Sequence, residues 1–295
     1  MTPLQSAILG LVEGISEYLP ISSTGHLVIT ASLLGLDSPQ NKPAVDAFNI
    51  VIQGGAILAV LLLYWPRFLS ILRGLFKGEN AGIRLLVNLV IAFIPAALIG
   101  PFLDDYLEAH LFKPAPVIAA LAIGGVYMIL IEQCRAGRLG SPPYHGALAE
   151  LDDLTPVQAL FIGVMQCFAM IPGTSRSMMT ITAGVLTGLR PRAAAEFSFL
   201  LGVPTLGAAC AFKLLKDILK TGKVIDGVPY RPFWEVLGGA NVAIGLVVAT
   251  VSAALAVRWL VGFLNRHGLT PFGVYRLLLA ACLAGLLAGG IVRWS

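Results

Sequence analysis

The stretch Val12-Glu13-Gly14-Ile15-Ser16-Glu17-Tyr18-Leu19-Pro20-Ile21-Ser22-Ser23-Thr24-Gly25-His26 sets two carboxylates, a proline and a hydroxyl-rich cluster between two apolar runs. The runs cover residues 4–19 and 25–36. A helix needs about 20 apolar residues to cross a bilayer, so each run is too short to span one. Working outward, longer apolar runs follow at 47–65, 85–103 and 116–132. A second short pair lies at 157–171 and 178–189, and longer runs at 197–214, 234–259 and 272–292 close the chain.

The order short, short, long, long, long thus occurs twice, which is an internal repeat. Ala7-Ile8-Leu9-Gly10-Leu11-Val12-Glu13, leading to Pro20, parallels Leu160-Phe161-Ile162-Gly163-Val164-Met165-Gln166, leading to Pro172. Gly10 matches Gly163, and Glu13 matches Gln166. Each proline precedes a small polar cluster, Ser22-Ser23-Thr24-Gly25-His26 in one copy and Gly173-Thr174-Ser175-Arg176-Ser177 in the other. Phe48 is echoed by Phe197. Three long runs per copy is an odd number, so the copies are expected to have opposite orientation. Inverted repeats with interrupted helices place a binding site near the bilayer interior. Broken backbone at that depth needs a cover of protein or a wet cavity, so the short pairs read as re-entrant hairpins. The expected fold is an all-α polytopic membrane protein with about six transmembrane helices plus two re-entrant helical hairpins in an inverted repeat. It forms one integral-membrane domain over residues 1–295, with halves at roughly 1–135 and 155–295.

Composition agrees. Of 295 residues, 57% are hydrophobic and only 12% charged, against about 25% charged in a soluble domain. Mean hydropathy is +0.84. There is no alternating ten-residue strand pattern of the outer-membrane barrel kind. The net charge of +4 comes without a basic stripe interleaved with aromatics, which argues against nucleic acid as a partner. Cys134, Cys167, Cys210 and Cys282 are isolated and lack metal-ligand spacing. Met1 to Gln5 carries no basic segment, so a cleaved signal peptide is not expected.

Loop charges give an orientation. Arg67, Arg73, Lys77 and Arg84 put residues 66–84 in the cytoplasm. Asp104, Asp105 and Glu108 then lie outside, Arg135 and Arg138 inside, and a loop at 258–271 with Arg258 and Arg266 inside. Segment 213–232, with Lys213, Lys216, Lys220, Lys223 and Arg231, falls outside by alternation although it is basic. The first hairpin then opens from the outer face.

Glu13 and Glu17 lie four positions apart, on one face of a helix. Carboxylates in the membrane are costly and normally line a working cavity. They could hold a divalent cation, or one could stay ionised while the other serves as general base. Ser22, Ser23, Thr24 and Gly25 open a helix-like run, where free backbone N–H groups and the helix dipole suit phosphate oxygens, although an ordinary N-cap has the same residues. His26 beside Ser23 can shuttle a proton near neutral pH. The other histidines, His110, His145 and His267, fall in expected loops. Gly173, Thr174, Ser175, Ser177 and Thr180 surround Arg176, whose planar fork matches phosphate. A bare Arg–Glu salt bridge is the competing reading. No G-x-x-x-x-G-K-[ST] phosphate loop is present. The acid-phosphatase type of lipid phosphatase needs a histidine several residues after its Ser-Arg, and none lies between Arg176 and Gly222.

With these residues assembled, Val12 to Leu27 resembles the first signature of the bacterial undecaprenyl-diphosphate phosphatase family, the bacitracin-resistance (BacA/UppP) type. Pro172-Gly173-Thr174-Ser175-Arg176-Ser177 with Thr180 resembles the second. Glu196-Phe197-Ser198-Phe199-Leu200-Leu201 and Pro271-Phe272 to Tyr275-Arg276 also match family patterns. The resemblance implies hydrolysis of undecaprenyl diphosphate to undecaprenyl phosphate and phosphate, which recycles the lipid carrier of cell-wall synthesis and confers bacitracin resistance. It implies a divalent cation, Mg2+ or Ca2+, and a bacterial plasma (inner) membrane location with the site facing the periplasm. By position, Glu13 and Glu17 are the carboxylate pair and metal ligands, Ser23 and His26 belong to the catalytic cluster, and Ser175, Arg176, Ser177 and Thr180 belong to the phosphate-binding loop. Asn49 stands where the family usually has Glu, Met178 and Met179 replace small residues, and Ile171 replaces a common Trp. Ser23 is the first choice of nucleophile, with Glu17 or His26 as its base, and a directly activated water is the runner-up. The alternative function on such a scaffold is a transporter or flippase of an anionic prenyl-phosphate lipid, which would release no phosphate. A receptor that only presents the lipid to a partner is a third.

Overall fold

The computed structural model describes residues 1–36, 42–139, 148–220, 224–225, 228–229 and 237–290. Eleven α-helices carry the described chain: α1 Pro3–Tyr18, α2 Ser23–Leu33, α3 Lys42–Leu63, α4 Trp65–Lys77, α5 Asn80–Leu111, α6 Pro114–Arg135, α7 Pro156–Cys167, α8 Arg176–Leu186, α9 Pro191–Lys220, α10 Gly239–His267 and α11 Thr270–Ala288. Single 3₁₀ turns occupy Leu151–Asp153 and Phe168–Met170, and Val224–Ile225 pairs with Val228–Pro229 in a minimal hairpin. Helices α3, α5, α6, α9, α10 and α11 are each long and apolar enough to cross a membrane. Their outward faces are apolar, with Leu62, Leu98, Phe102, Ile123, Val247 and Leu278 exposed. A polytopic membrane protein presents that face to lipid.

The four short helices are 16, 11, 12 and 11 residues long. At 1.5 Å per residue the longest is about 24 Å, less than the hydrocarbon thickness of about 30 Å. Helices α1 and α7 begin alike. Thr2 and Thr155 are N-caps, Pro3 and Pro156 open the first turns, and Gln5 and Gln158 close capping boxes. The same glutamines reach further. Gln5 Nε2 donates to the Leu34 carbonyl at 3.1 Å, and Gln158 Nε2 donates to the Thr187 carbonyl at 2.9 Å. Each second helix therefore ends beside the first turn of its predecessor.

Between the paired helices the backbone turns through a left-handed serine, Ser22 at φ 71° and Ser175 at φ 75°. These are the only non-glycine residues with positive φ among the described residues. Each costs about 1–3 kcal/mol, strain that persists only where the surroundings over-determine it. One such constraint joins the two breaks: Ser177 Oγ donates to the Leu19 carbonyl at 2.8 Å.

The short helices pack on long helices from the opposite half of the chain, α1 on α10 and α7 on α5. Glycine permits both close approaches. A Cβ on Gly10 would strike the Gly245 carbonyl, and one on Gly163 would strike that of Ala92. The core around Tyr18, Phe197, Phe199, Leu200 and Ile181 is fully buried and lies under the two breaks. At one end of the bundle Lys213 pairs with Asp104 at 3.2 Å, and Asn241 Nδ2 donates to the Met1 carbonyl at 2.8 Å. At the other end Arg67 bridges Asp152 at 3.1 Å and Glu196 at 2.8 Å.

Several expectations from the sequence need correction. Residues 258–271 are not a loop. Helix α10 continues to His267, because Leu260 and Leu264 extend its buried face past the first arginine, and Gly268 at φ 63° caps it. Lys213 to Lys220 belong to α9, not to a connecting segment, while Lys223 and Arg231 lie outside the described residues. Asp104, Asp105, Glu108 and His110 lie in α5, and His267 is the last residue of α10. His145 falls outside the described residues. The segment read as the basic loop 66–84 is largely α4, an amphipathic helix with Leu72, Leu75 and Phe76 exposed between its cations.

Candidate active site

The two breaks bring the first and second polar clusters together. Glu17, in the last turn of α1, lies between them. Its Oε2 accepts from Ser23 Oγ at 2.8 Å, and its Oε1 accepts from Arg176 Nη2 at 3.2 Å. The Glu17 and Arg176 side chains are only 6% and 8% exposed, so the ion pair is shielded from bulk water. Arg176 is further fixed by Nη1, which donates to the Ser198 carbonyl at 2.9 Å, and its guanidinium lies 5.3 Å from the Tyr18 ring centroid. Gly202 makes room for it, since a Cβ there would come within 2.9 Å of Nη1. The Nε–H is buried and has no partner among the described residues.

Glu13 sits one turn before Glu17 and is fully buried. Neither of its carboxylate oxygens has a hydrogen-bond partner among the described residues, and its charged neighbours are Glu17 and Arg176. A buried carboxylate without a partner needs a proton or a cation. The unpartnered Glu13 carboxylate, with Glu17 one turn away, fits a hard divalent ion, which takes oxygen ligands and fills the rest of its shell from water or phosphate.

The helix that follows each break treats its free N–H groups differently. Ser175 Oγ accepts from Met178 N at 3.3 Å and caps α8, and it also lies 3.0 Å from Ser177 Oγ. Ser22 makes no side-chain cap on α2. The first-turn amides of α2, at Ser23, Thr24 and Gly25, thus receive no cap from Ser22, and the positive end of a helix suits an anion. Ser23 and Thr24 are partly exposed, and Gly25 is buried against Leu121.

His26 points away from the carboxylates. Its Nδ1 lies 2.7 Å from the Ser22 carbonyl, and its Nε2 lies 2.7 Å from the Tyr275 hydroxyl, with the two rings parallel within 2°. A carbonyl only accepts, so Nδ1 carries the proton and donates. Thr180 is fully buried, its hydroxyl donating to the Arg176 carbonyl at 2.9 Å and lying 2.6 Å from Ser198 Oγ. Gly173 and Thr174 form the turn before Ser175, with Gly173 at φ 90° and Thr174 N donating to the Ile171 carbonyl.

Three residues close to these groups were not singled out as site residues from the sequence. Arg276 is fully buried in α11, and its Nη2 donates to the carbonyls of Gly173 at 2.8 Å and Ala120 at 3.0 Å. Tyr275 holds His26, and Ser198 anchors both Arg176 and Thr180. A cation in an apolar run was the signal that picked out Arg176, and the same signal exists for Arg276.

Comparison with known proteins follows the same residues. The family described as "Bacitracin resistance protein BacA" matches residues 6–282. The chain is 41% identical over 292 residues to a protein of Rhodospirillum rubrum named "Undecaprenyl-diphosphatase 2", covering 99% of this chain and 97% of that protein. It is 42% identical over 277 residues to an "Undecaprenyl-diphosphatase" of Sorangium cellulosum, covering 94% and 83% of the two chains. A protein of the same name from Deinococcus radiodurans is 41% identical over 292 residues, covering 98% and 97%.

Proposed function

This chain belongs to the bacitracin resistance protein BacA family, and from that premise and the geometry of its site we propose that it hydrolyses undecaprenyl diphosphate to undecaprenyl phosphate and inorganic phosphate. The observation that carries the chemistry is the run Ser23–Glu17–Arg176, a hydroxyl on a carboxylate on a guanidinium at 2.8 and 3.2 Å. The protein is a multi-pass protein of the bacterial inner membrane. The reaction recycles a lipid carrier of cell-wall synthesis, and abundant phosphatase confers bacitracin resistance.

Glu17 takes the proton of Ser23 as Oγ attacks the terminal phosphorus. The bond from that phosphorus to the bridging oxygen breaks, and undecaprenyl phosphate leaves with the bond's electron pair. Water then attacks the phosphoserine, phosphate departs, and the proton held by Glu17 returns to Ser23. Throughout, the α2 amides and the free Arg176 Nε–H hold phosphate oxygens as charge shifts between them. Glu13 and Glu17 would hold Mg2+ or Ca2+. When bound, the ion supplies positive charge to phosphate oxygens beside the carboxylates. His26 is a positioning residue in this mechanism. Its bond to the Ser22 carbonyl pins the strained turn that aims Ser23 at Glu17, and Tyr275 fixes the ring. Ser177 and Thr180 hold the two breaks and Arg176 in register, while Thr174 and Ser175 line the second cradle.

The same reading gives the membrane placement. The paired short helices are re-entrant hairpins in an inverted repeat within a single domain. The first pair enters at the end of the bundle marked by Met1 and Asn241, which we place at the periplasmic face. The Arg67 end is then cytoplasmic, as its cations favour.

The test is phosphate release from a long-chain prenyl diphosphate by the purified protein in detergent, with and without EDTA, beside Glu17→Gln and Arg176→Lys. The expected result is release that requires the cation and falls at least a hundredfold in both variants. Substrate binding without release by well-folded wild type would favour lipid translocation on this scaffold instead.

A further inference from the structure

At the end of the bundle opposite Met1 and Asn241, a cleft of about 660 Å³ opens between the C-terminal turns of α6 and α10 and the first turns of α9 and α11. It is lined by Arg135, Arg138, Arg190, Arg266 and His267, with Glu132 as the one acidic residue in its wall among the described residues. The volume falls in the range of about 300–1,000 Å³ usual for small-ligand sites.

The charges do not cancel. Glu132 is buried, accepts from the Arg135 guanidinium, and also accepts from the Leu269 N–H at 3.3 Å, so its carboxylate is occupied. Arg190 pairs with Glu150 at 3.0 Å, where both side chains are more than half exposed. Arg138 and Arg266 have no acidic partner among the described residues, and both are exposed. Arg138 follows the end of α6, Arg266 lies in the last turn of α10, and both line one concavity, a setting that favours a counter-anion. The lining also includes Leu264, Pro191 and Pro271, of which Pro271 is exposed. A free phosphate would gain nothing from the Pro271 ring, whereas a lipid would lay its glycerol against it. The cleft sits at the ends of membrane-crossing helices, the level of lipid headgroups, and basic pockets there bind headgroups with two phosphates.

We propose that this cleft is a binding site for the phosphate-bearing headgroup of an anionic phospholipid, separate from the site at Glu17 and independent of its chemistry. Arg138 and Arg266 grip the phosphates, while Arg135 and Arg190, tied to their glutamates, border them.

Native mass spectrometry of the purified full chain tests this with diphosphatidylglycerol, zwitterionic phosphatidylethanolamine, and inorganic phosphate or pyrophosphate as probes. Wild type is expected to retain diphosphatidylglycerol in preference to phosphatidylethanolamine. Affinity should fall on the order of thirtyfold in Arg138→Gln/Arg266→Gln, the effect expected from two headgroup-level cations. Arg138→Lys/Arg266→Lys should keep most of the retention and serves as the check on folding. Equal retention by wild type and the Gln variant would overturn the site, leaving only ordinary cytoplasmic loop charge. Pyrophosphate or phosphate binding without lipid retention would overturn the lipid as its occupant. Neither result bears on phosphate release at Ser23.

Discussion

The two short-helix pairs share a backbone and divide a chemistry. Both start with a Thr–Pro capping box, return so that a glutamine meets the end of the second helix, and turn on a left-handed serine. The side chains hung on that frame differ in sign. The first pair has Glu13 and Glu17 before its serine. The second has no carboxylate between Pro156 and Ser175, and Gln166 takes the place of Glu13. One residue after the serine stands Ser23 in the first pair and Arg176 in the second. Four residues after it stand His26 and Met179. The two pairs thus match in their strained turns, and they differ in that one carries the glutamates and Ser23 and the other carries Arg176. The comparison teaches that strain is common to both pairs, while polarity is divided between them.

The largest expected effect breaks the chemistry of one copy only. Ser23→Ala should abolish turnover while leaving the fold intact, read as phosphate release from a prenyl diphosphate. Activity above roughly a hundredth of wild type would point instead to water attack activated by Glu17, given the usual size of general-base effects. Next comes the bond between the copies. Glu17→Gln breaks a buried ion pair and should destabilise by roughly 3–5 kcal/mol. Glu17→Gln/Arg176→Met should recover much of that stability in a thermal melt yet remain inactive. A double variant no more stable than the single would mean that the pair is not what couples the halves.

Smaller effects sharpen the contrast. Ser22→Gly removes left-handed strain without losing a cap and should raise Tm, whereas Ser175→Gly also loses the Met178 cap, so its gain should be smaller or absent. Equal gains would mean that the cap contributes nothing. Tyr275→Phe keeps the ring beside His26 but deletes one hydrogen bond. It should lower kcat by about tenfold or less with KM nearly unchanged, a cost in line with one neutral bond. Loss as large as that of Ser23→Ala would make His26 a proton carrier, not a positioning residue.

Much of this was legible in the sequence because membranes enforce simple rules. The six long helices follow from apolar length, and Glu13, Glu17 and Arg176 stand out because intramembrane charge is rare. What escaped notice has equally physical causes. Helix α4 mixes Arg67, Arg73 and Lys77 with its leucines, so its period reads as a basic loop unless amphipathicity is tested. Helix α10 seemed to stop at Arg258, although a cation near a helix C-terminus is favourable and does not end it. The partners of His26 could not be read locally, because Tyr275 is 249 positions away. Proximity of His26 to Ser23 in sequence pointed towards Glu17, but the ring nitrogens of His26 bond the Ser22 carbonyl and the Tyr275 hydroxyl instead.

The exchange of partners between halves has a consequence for biosynthesis. Helix α1 leaves the ribosome well before its chief support, α10, which begins only at Gly239. At about 5–20 residues per second that support emerges roughly 10–45 seconds later. During this interval a segment too short to span the bilayer, carrying two carboxylates, has only α2 and α3 to pack on. The upstream half therefore should not mature as an independent unit. Pulse-labelled chains halted before residue 239 should leave α1 open to protease, and full-length chains should protect it.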